Sequence, residues 1–393
     1  MSTTTTDLTD PGLWARDDVG AIVAELRGRA PVHRAETETD GPVWSVLDYA
    51  TGARVLTDAA TFSSAGGSLL GSGTGPGPVG ANRMMALSDG SRHRELRTPT
   101  LSYFSPAAVR GAADRIAELA VTVVDEAVER GDVDLVDVLA TVPLAVMCDL
   151  LGIPADDRDL VASVCDEAFL APTPEGRRGG HQKLLPYLFE QVMRRRTAPG
   201  QDLISTLATH RVGGRPLPLE DVVLNLDNII VGGVQTVRHT AAMGIWALVR
   251  HPECWRRLAA GEVELGSAVD ELLRWTSVGL HVLRTATRPV ELGGQAVEAG
   301  DKVAVWVWSA DHDPAAFDQP DELRLDRSPN RHLALGVGAH YCVGAPLAKA
   351  ELRAIYAALL ARVAAIEPTG VPVHNRSIIN FGFDRLPVRL LAR

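Results

Sequence analysis

A cysteine thiolate in a glycine-rich turn can hold a soft metal ion, and Cys342 sits in such a turn, LALGVGAHYCVGAPLAKAELR, which runs into an amphipathic helix over 343–361. Gly336, Gly338 and Gly344 allow positive φ and the close approach of a flat partner, while the helix aims its partially positive N-terminus at the sulfur. A second pair, Glu271 and Arg274 in ELLR, shares one helical face, where a carboxylate and a guanidinium three residues apart can pair. A third group, Gly232-Gly233-Val234-Gln235-Thr236, lies inside the apolar-periodic segment 217–250. Each glycine there is unfavourable by about 1 kcal/mol relative to alanine, so the pair implies local distortion or contact with something flat. A helix crossing would explain the two glycines as well, and burial in a loop is the commoner fate of a lone cysteine.

Positioning these groups takes a mostly helical frame. Apolar residues recur three and four apart near 107–130, 137–152, 155–171, 180–198, 217–250, 264–276 and 343–361. Short β-favouring runs lie at 31–35, 43–47, 281–287, 289–293 and 302–306. The expected fold class is mainly α with small β-sheets, without internal repeats or βαβ alternation. The Gly-, Ser- and Pro-rich stretch 63–90 breaks the helical rhythm and reads as a long mobile lid loop, with Met84, Met85 and Leu87 as its apolar contacts. Residues 1–15 are expected to be flexible.

Composition narrows the function further. A hydrophobic content of 46% in 393 residues supports a substantial core, read as one domain over 1–393. The net charge of −10 and the absence of a large basic cluster argue against general nucleic-acid binding. Arg194, Arg195 and Arg196 follow the apolar LLPYLFEQVM and suit a solvated helix C-terminus. The N-terminal MSTTTTDLTD reads as neither a signal peptide nor an anchor, so a cytoplasmic protein without membrane attachment is expected; a monomer is expected as well. Cys148, Cys165, Cys254 and Cys342 form no C-x-x-C pair, which indicates neither a disulfide framework nor a zinc site.

The cysteine turn resembles the haem-thiolate loop F-G-x-G-x-H-x-C-x-G of the cytochrome P-450 family at Gly336, Gly338, His340, Cys342 and Gly344. Leu335 stands where the family has phenylalanine. The resemblance covers nearly the whole chain and implies the P-450 fold, a triangular prism-shaped single domain. Haem b would lie between a long oxygen-side helix and the cysteine-loop helix, with Cys342 as the iron ligand and dioxygen as co-substrate. Gly232, Gly233 and Thr236 match the family's [AG]-G-x-[DE]-T, which implies that Thr236 supplies the hydroxyl of the oxygen side. Gln235 replaces the family's acid, and an amide can orient water but cannot relay a proton by ionising. The run from Asp89 to Arg97 resembles D-P-P-x-H-x-x-x-R and supplies His93 and Arg97; with Arg284 and His340 these are the implied propionate donors. The resemblance also implies that Glu271 and Arg274 form a buried structural network completed by Arg327 or His332. Asp311 and His312 stand where relatives often have Asn-Arg.

The enzyme so implied is a soluble bacterial haem-thiolate monooxygenase, an oxidoreductase acting on paired donors with incorporation of molecular oxygen. Its electrons would come from a ferredoxin and an NAD(P)H-dependent ferredoxin reductase, with Arg92, Arg94 and Lys349 as docking contacts. Pocket positions by family location are Met84, Met85, Asn228, Val231, Gly232, Leu280, Val282, Ile379 and Asn380, where the two asparagines could orient a polar group. The combination of VGGVQTVRH with RWTSVGLHVLRTA looks like relatives that oxidise natural-product precursors, some tethered to a carrier protein, and like some steroid-oxidising relatives. Oxidation of a small-molecule intermediate of secondary metabolism, as in antibiotic biosynthesis, is the favoured expectation. Gln235 leaves non-hydroxylating chemistry open: coupling, desaturation or peroxide-driven oxidation. A catalytically silent haem-binding accessory protein is the alternative of another class, and the presence of both Cys342 and Thr236 argues against it.

Overall fold

Helix Leu219–Arg250 is apolar on most of its circumference, so it must be surrounded, and it is the axis of the fold. A computed structural model describes residues 6–71, 80–170 and 173–393. In it, helices Leu135–Leu151, Arg158–Leu170, Pro174–Thr197, Leu265–Thr276 and Ala345–Arg362 all touch this axis. Helix Pro106–Arg130 packs in turn along Ala345–Arg362. Local signals set the ends. Ser105 Oγ accepts the Ala108 amide at 3.2 Å ahead of Pro106, and Gly131 and Gly152, both at positive φ, close Pro106–Arg130 and Leu135–Leu151.

A five-stranded sheet flanks this bundle in the order Val32–Thr37, Gly41–Val46, Lys302–Trp306, His281–Ala286, Phe62–Ser63. Lys302–Trp306 runs parallel to Gly41–Val46 and antiparallel to His281–Ala286, pairing Val303 with Trp44 on one side and with Arg284 on the other. That register places Arg284 in a buried strand, with 4% of its surface accessible. One large apolar cluster fills the helical part and two smaller ones line the sheet.

The mainly helical fold with small sheets is as expected, and the two segments read as flexible or mobile make definite contacts in their described residues. Residues 6–15 are anchored: Asp10 caps helix Pro11–Trp14, Leu8, Leu13 and Trp14 are buried, and Trp14 stacks on Trp306 at 5.4 Å. Three large apolar side chains in a short segment outweigh its polar start. The described ends of the lid are also pinned. Ser63 Oγ and the Ser64 amide donate to Asp89, the Leu70 amide donates to His281 Nε2 at 2.8 Å, and the Met85 amide donates to Asn225 Oδ1 at 2.8 Å. Residues 72–79 of the expected lid lie outside the described residues, as do residues 1–5. Among the described residues, no helix is long and apolar enough to cross a membrane.

Candidate active site

The Cys342 loop is closed by its own backbone: the Cys342 amide donates to Leu335 O at 2.8 Å and the Gly336 amide to Leu333 O at 2.7 Å. Gly336 and Gly338 take φ of 70° and 76°, as expected. A Cβ on Gly338 would lie 3.2 Å from Leu56 O, so this glycine accommodates the end of helix Tyr49–Thr57. Gly344 differs from the expectation. Its φ of −80° is open to any residue, and it serves as N-cap of helix Ala345–Arg362. A Cβ there would stand 3.9 Å from Cys342 Sγ, in ordinary contact with the sulfur. Although Cys342 keeps some accessible surface, burial pushes its thiol pKa up, while the Gly344 amide, the Arg97 guanidinium and the Ala345 amide pull it down.

Four basic side chains converge beside this loop. His93 is buried, its ring lies 4.3 Å from that of His340, and its Nε2 has no hydrogen-bond partner among the described residues. Burial, then the nearby His340 and Arg97, lower the His93 pKa to about 4, so the ring is neutral at pH 7. Arg97 Nη2 donates to Tyr341 O at 2.5 Å. Arg284 makes one hydrogen bond among the described residues, to Leu283 O, and burial lowers its pKa to about 10. His340 Nε2 lies 3.2 Å from Ser64 Oγ and 3.7 Å from Asp89 Oδ1. Burial pushes Asp89 up, but His340, Ser63 and the Ser64 amide outweigh it and hold the carboxyl well below its usual range. Two guanidinia and an orphan imidazole nitrogen face a single carboxylate. A buried surplus of donors needs an anionic acceptor, and a group carrying two carboxylates beside a thiolate-held iron fits that need. Haem therefore fits the residues present.

On helix Leu219–Arg250, the two glycines do different work. A Cβ on Gly233 would collide with Met147 Cε of helix Leu135–Leu151, which makes this residue a helix crossing. A Cβ on Gly232 would meet no atom within 4 Å, so this glycine borders open space. Thr236 Oγ1 donates to Gly232 O at 2.7 Å, which bends the threonine hydroxyl back over that opening. Gln235 is buried and turned aside, its Nε2 donating to Asp166 Oδ1 at 2.6 Å.

A family model described as cytochrome P450 matches residues 265–381. Cytochrome P450 NovI of Streptomyces niveus is 33% identical over 390 residues, covering 98% of this chain and 96% of the relative. This chain belongs to the cytochrome P450 family. Cyclomarin C epoxidase CymV of Salinispora arenicola is 33% identical over 370 residues, covering 92% and 90%. The crystal structure of P450 OxyD, described as involved in the biosynthesis of vancomycin-type antibiotics, superimposes with a TM-score of 0.91 at 32% identity, covering 99% and 100%. The protein is thus a bacterial P450, an oxygen-incorporating oxidoreductase, and its family implies a haem-thiolate iron and the use of dioxygen.

The P450 frames its cysteine loop with a buried ion cluster. Glu271 and Arg274 have no accessible surface; Arg274 Nε and Nη2 reach the carboxylate at 2.8 and 2.9 Å. Arg327 Nε lies 3.0 and 3.1 Å from the two oxygens, Asn330 Nδ2 donates at 3.1 Å, and the Arg324 amide at 3.0 Å. Of the two expected partners Arg327 joins this cluster and His332 does not, since His332 faces Asp270 at 3.9 Å. Asp311, which stands where relatives often have asparagine, is central to the frame. Its carboxylate accepts the Leu333 amide at 2.6 Å and Ser277 Oγ at 2.8 Å, and burial raises its pKa to about 6. His312 stacks on Trp308 at 4.0 Å.

Pocket and docking expectations fare unevenly in this P450. Met84, Asn228, Gly232, Val282 and Ile379 keep accessible surface and Met85 a little, whereas Val231, Leu280 and Asn380 are closed off at 1%, 0% and 0%. Leu280 belongs to the sheet core with Trp306 and Phe381, and the side-chain Nδ2 and Oδ1 of Asn380 have no partner among the described residues. Arg92 is held by Asp221, Glu95 and Asn82 O, and Lys349 by Asp270 at 2.7 Å, so neither is free to meet a carrier. Arg94 is exposed. Sequence reasoning missed Asp89 as the partner of His340 and Asp166 as the partner of Gln235. Both belong to segments distant in sequence, and no local spacing signals such a pair.

Proposed function

We propose that this P450 is a cytoplasmic, monomeric monooxygenase that takes electrons from a ferredoxin and its NAD(P)H-dependent reductase to oxidise a natural-product intermediate. The support for the site is the surplus of buried donors beside Cys342. Cys342 would hold the iron of haem b, and His93, Arg97, Arg284 and His340 would hold its propionates, with Asp89 orienting His340. When bound, haem supplies the oxidising equivalent for the reaction. The chain's own part is positional. Gly232 keeps space open over the long helix, Thr236 holds a hydroxyl proton toward Gly232 O, and Met84, Asn228, Val282 and Ile379 shape the surface on which the substrate is oriented.

The natural-product reading is supported by the names of relatives that each cover most of this chain, an epoxidase of cyclomarin C and a P450 of vancomycin-type antibiotic biosynthesis among them. All four cysteines are free, which suits a reducing compartment. Arg94 is the basic residue that remains for a ferredoxin to meet. The test is optical. The reduced protein with carbon monoxide is expected to give a thiolate-type spectrum, and a screen of natural-product intermediates, free and carrier-tethered, to yield one that shifts the iron spin state and is turned over with NAD(P)H. A carbonyl spectrum without thiolate character would overturn the haem assignment. A normal spectrum with no turnover of any spin-shifting ligand would favour the accessory protein.

A further inference from the structure

Asp311 joins the buried ion cluster to the cysteine loop. Its main-chain oxygen accepts Arg274 Nη1 at 2.7 Å, and because Arg274 commits Nε and Nη2 to Glu271, the Asp311 carboxylate gets no ion pair from it. Oδ1 of that carboxylate accepts the Leu333 amide at 2.6 Å. Leu333 O accepts the Gly336 amide at 2.7 Å, and Leu335 O accepts the Cys342 amide at 2.8 Å, so an unbroken run of hydrogen bonds and backbone leads from Asp311 to the sulfur-bearing residue. The second oxygen shows how the acid can be bonded. Ser277 Oγ lies 2.8 Å from Asp311 Oδ2 and 2.9 Å from Arg274 O, two acceptors for one hydroxyl proton. With Asp311 as an anion, one of these two contacts goes unmet. With a proton on Oδ2, Asp311 donates to Ser277 Oγ, the serine donates to Arg274 O, and Oδ1 still accepts from Leu333.

We propose that Asp311 is a positioning residue of the Cys342 loop with two states, a neutral acid bonded as an amide would be, and an anion that adds a negative charge at the head of the loop and tightens its bond to the Leu333 amide. Burial favours the neutral acid, whereas His332, the Leu333 amide, Ser277 and Arg274 favour the anion, and the changeover lies at about 6. The proton passes between solvent and Oδ2, and no electrons move. Other titratable groups are packed around the same turn. Tyr49 of helix Tyr49–Thr57 donates its phenol proton to Arg331 O, and Arg27 of helix Val19–Arg29 donates to Ser309 O and His312 O. His312 is neutral because burial lowers its pKa to about 3, and Asp313 takes the Tyr49 amide. The two strands beside the turn aim their groups elsewhere, Lys302 at Asp40 and His281 at the Leu70 amide.

The head of the loop can be observed directly. His332-Leu333 is the one His-Leu step in the chain, so labelling with 13C-carbonyl histidine and 15N-leucine isolates the Leu333 amide by NMR. In the haem-loaded, reduced protein under carbon monoxide, that signal should move with pH through an inflection near 6. In Asp311→Asn it should stay still, at the parent's acid-side position, because the asparagine oxygen accepts from Leu333 and its amide donates to Ser277 as the neutral acid does. A tie that is only structural predicts no inflection in either protein. The reduction potential of the parent should fall as pH rises through the same range, since an added negative charge favours the ferric state, and D311N should lack that step and keep the parent's acid-side value. The proposal rests on the haem-thiolate reading, which the carbonyl spectrum of each protein reports separately. If D311N fails to load haem, the amide titration of the parent decides alone. A Leu333 amide indifferent to pH in the parent, an inflection that persists in D311N, or potentials that run parallel in the two proteins would each overturn the proposal.

Discussion

The two faces of the candidate haem site are built on opposite principles. On the cysteine side, the loop is closed by backbone hydrogen bonds to Leu333 and Leu335, and its frame is the Glu271–Arg274–Arg327 cluster with no water contact at Glu271 or Arg274. On helix Leu219–Arg250 the glycines divide between a crossing and an opening, Gln235 reaches Asp166 of a neighbouring helix, and Thr236 turns back on its own helix. A ligand atom that must not move calls for redundancy, because each buried charge is held by several partners. A face that must admit substrate and water is left with single contacts.

The sharpest way to break this comparison is to remove one residue from each face. Cys342→Ala should abolish both the thiolate-type carbonyl spectrum and all turnover, whereas Thr236→Ala should keep the spectrum and lose coupling by about tenfold to a hundredfold. Equal spectral loss in both variants would contradict the division. Glu271→Gln should destabilise the fold by about 3–5 kcal/mol, because Arg274 and Arg327 are left as uncompensated buried charges; denaturant titration of the haem-free and loaded proteins measures it.

The glycines refine the picture at a smaller scale. Gly233→Ala should change stability by less than about 1 kcal/mol, since the flexible end of Met147 can move aside and alanine gains helix propensity, and Gly232→Ala should gain up to about 1 kcal/mol in thermal unfolding while narrowing the opening and slowing turnover. His239, on the same helix, is fully buried with neither ring nitrogen partnered among the described residues, and burial lowers its pKa to about 3. Its folded pKa lies below the ordinary 6.5, so the stability it permits is present above 6.5 and is lost as pH falls toward 3. His239→Leu should therefore stabilise the fold at pH 7, with a gap over the parent that widens by about 1.4 kcal/mol per pH unit below 6.5. A gap independent of pH would show that the ring is already charged. The smallest effect belongs to the surface: Arg94→Glu should raise the half-saturating ferredoxin concentration a few-fold and leave the carbonyl spectrum unchanged.

Legibility in the sequence followed the range of the interaction. The long helices announced themselves through apolar period, and observed spans such as Pro106–Arg130 and Leu219–Arg250 depart little from the expected 107–130 and 217–250. The three-stranded sheet of Asp132–Asp134, Val363–Pro368 and Pro387–Ala392 was not read: Asp132–Asp134 is too short to show alternation, and adjacent apolar residues break it in the other two. Among site residues, Gly336, Gly338, His340 and Cys342 share one loop because the chain itself holds them together. Val231, Leu280 and Asn380 were assigned to a pocket by location, and side-chain packing closed them instead.

By itself, the sequence determined the family, the thiolate candidate, the basic residues that face it and the helix that opposes it, since each is encoded by residue type at short spacing. Only the tertiary structure decided which glycine opens space and which accepts a neighbouring helix, that Gly344 caps a helix at ordinary φ, and that Arg92 and Lys349 are already engaged. It also decided that Gln235 is tied to Asp166 of a neighbouring helix. The physical reason is that chemistry is carried by atoms a few ångströms apart, and Asp166 and Gln235 come within hydrogen-bonding distance only when their two helices pack.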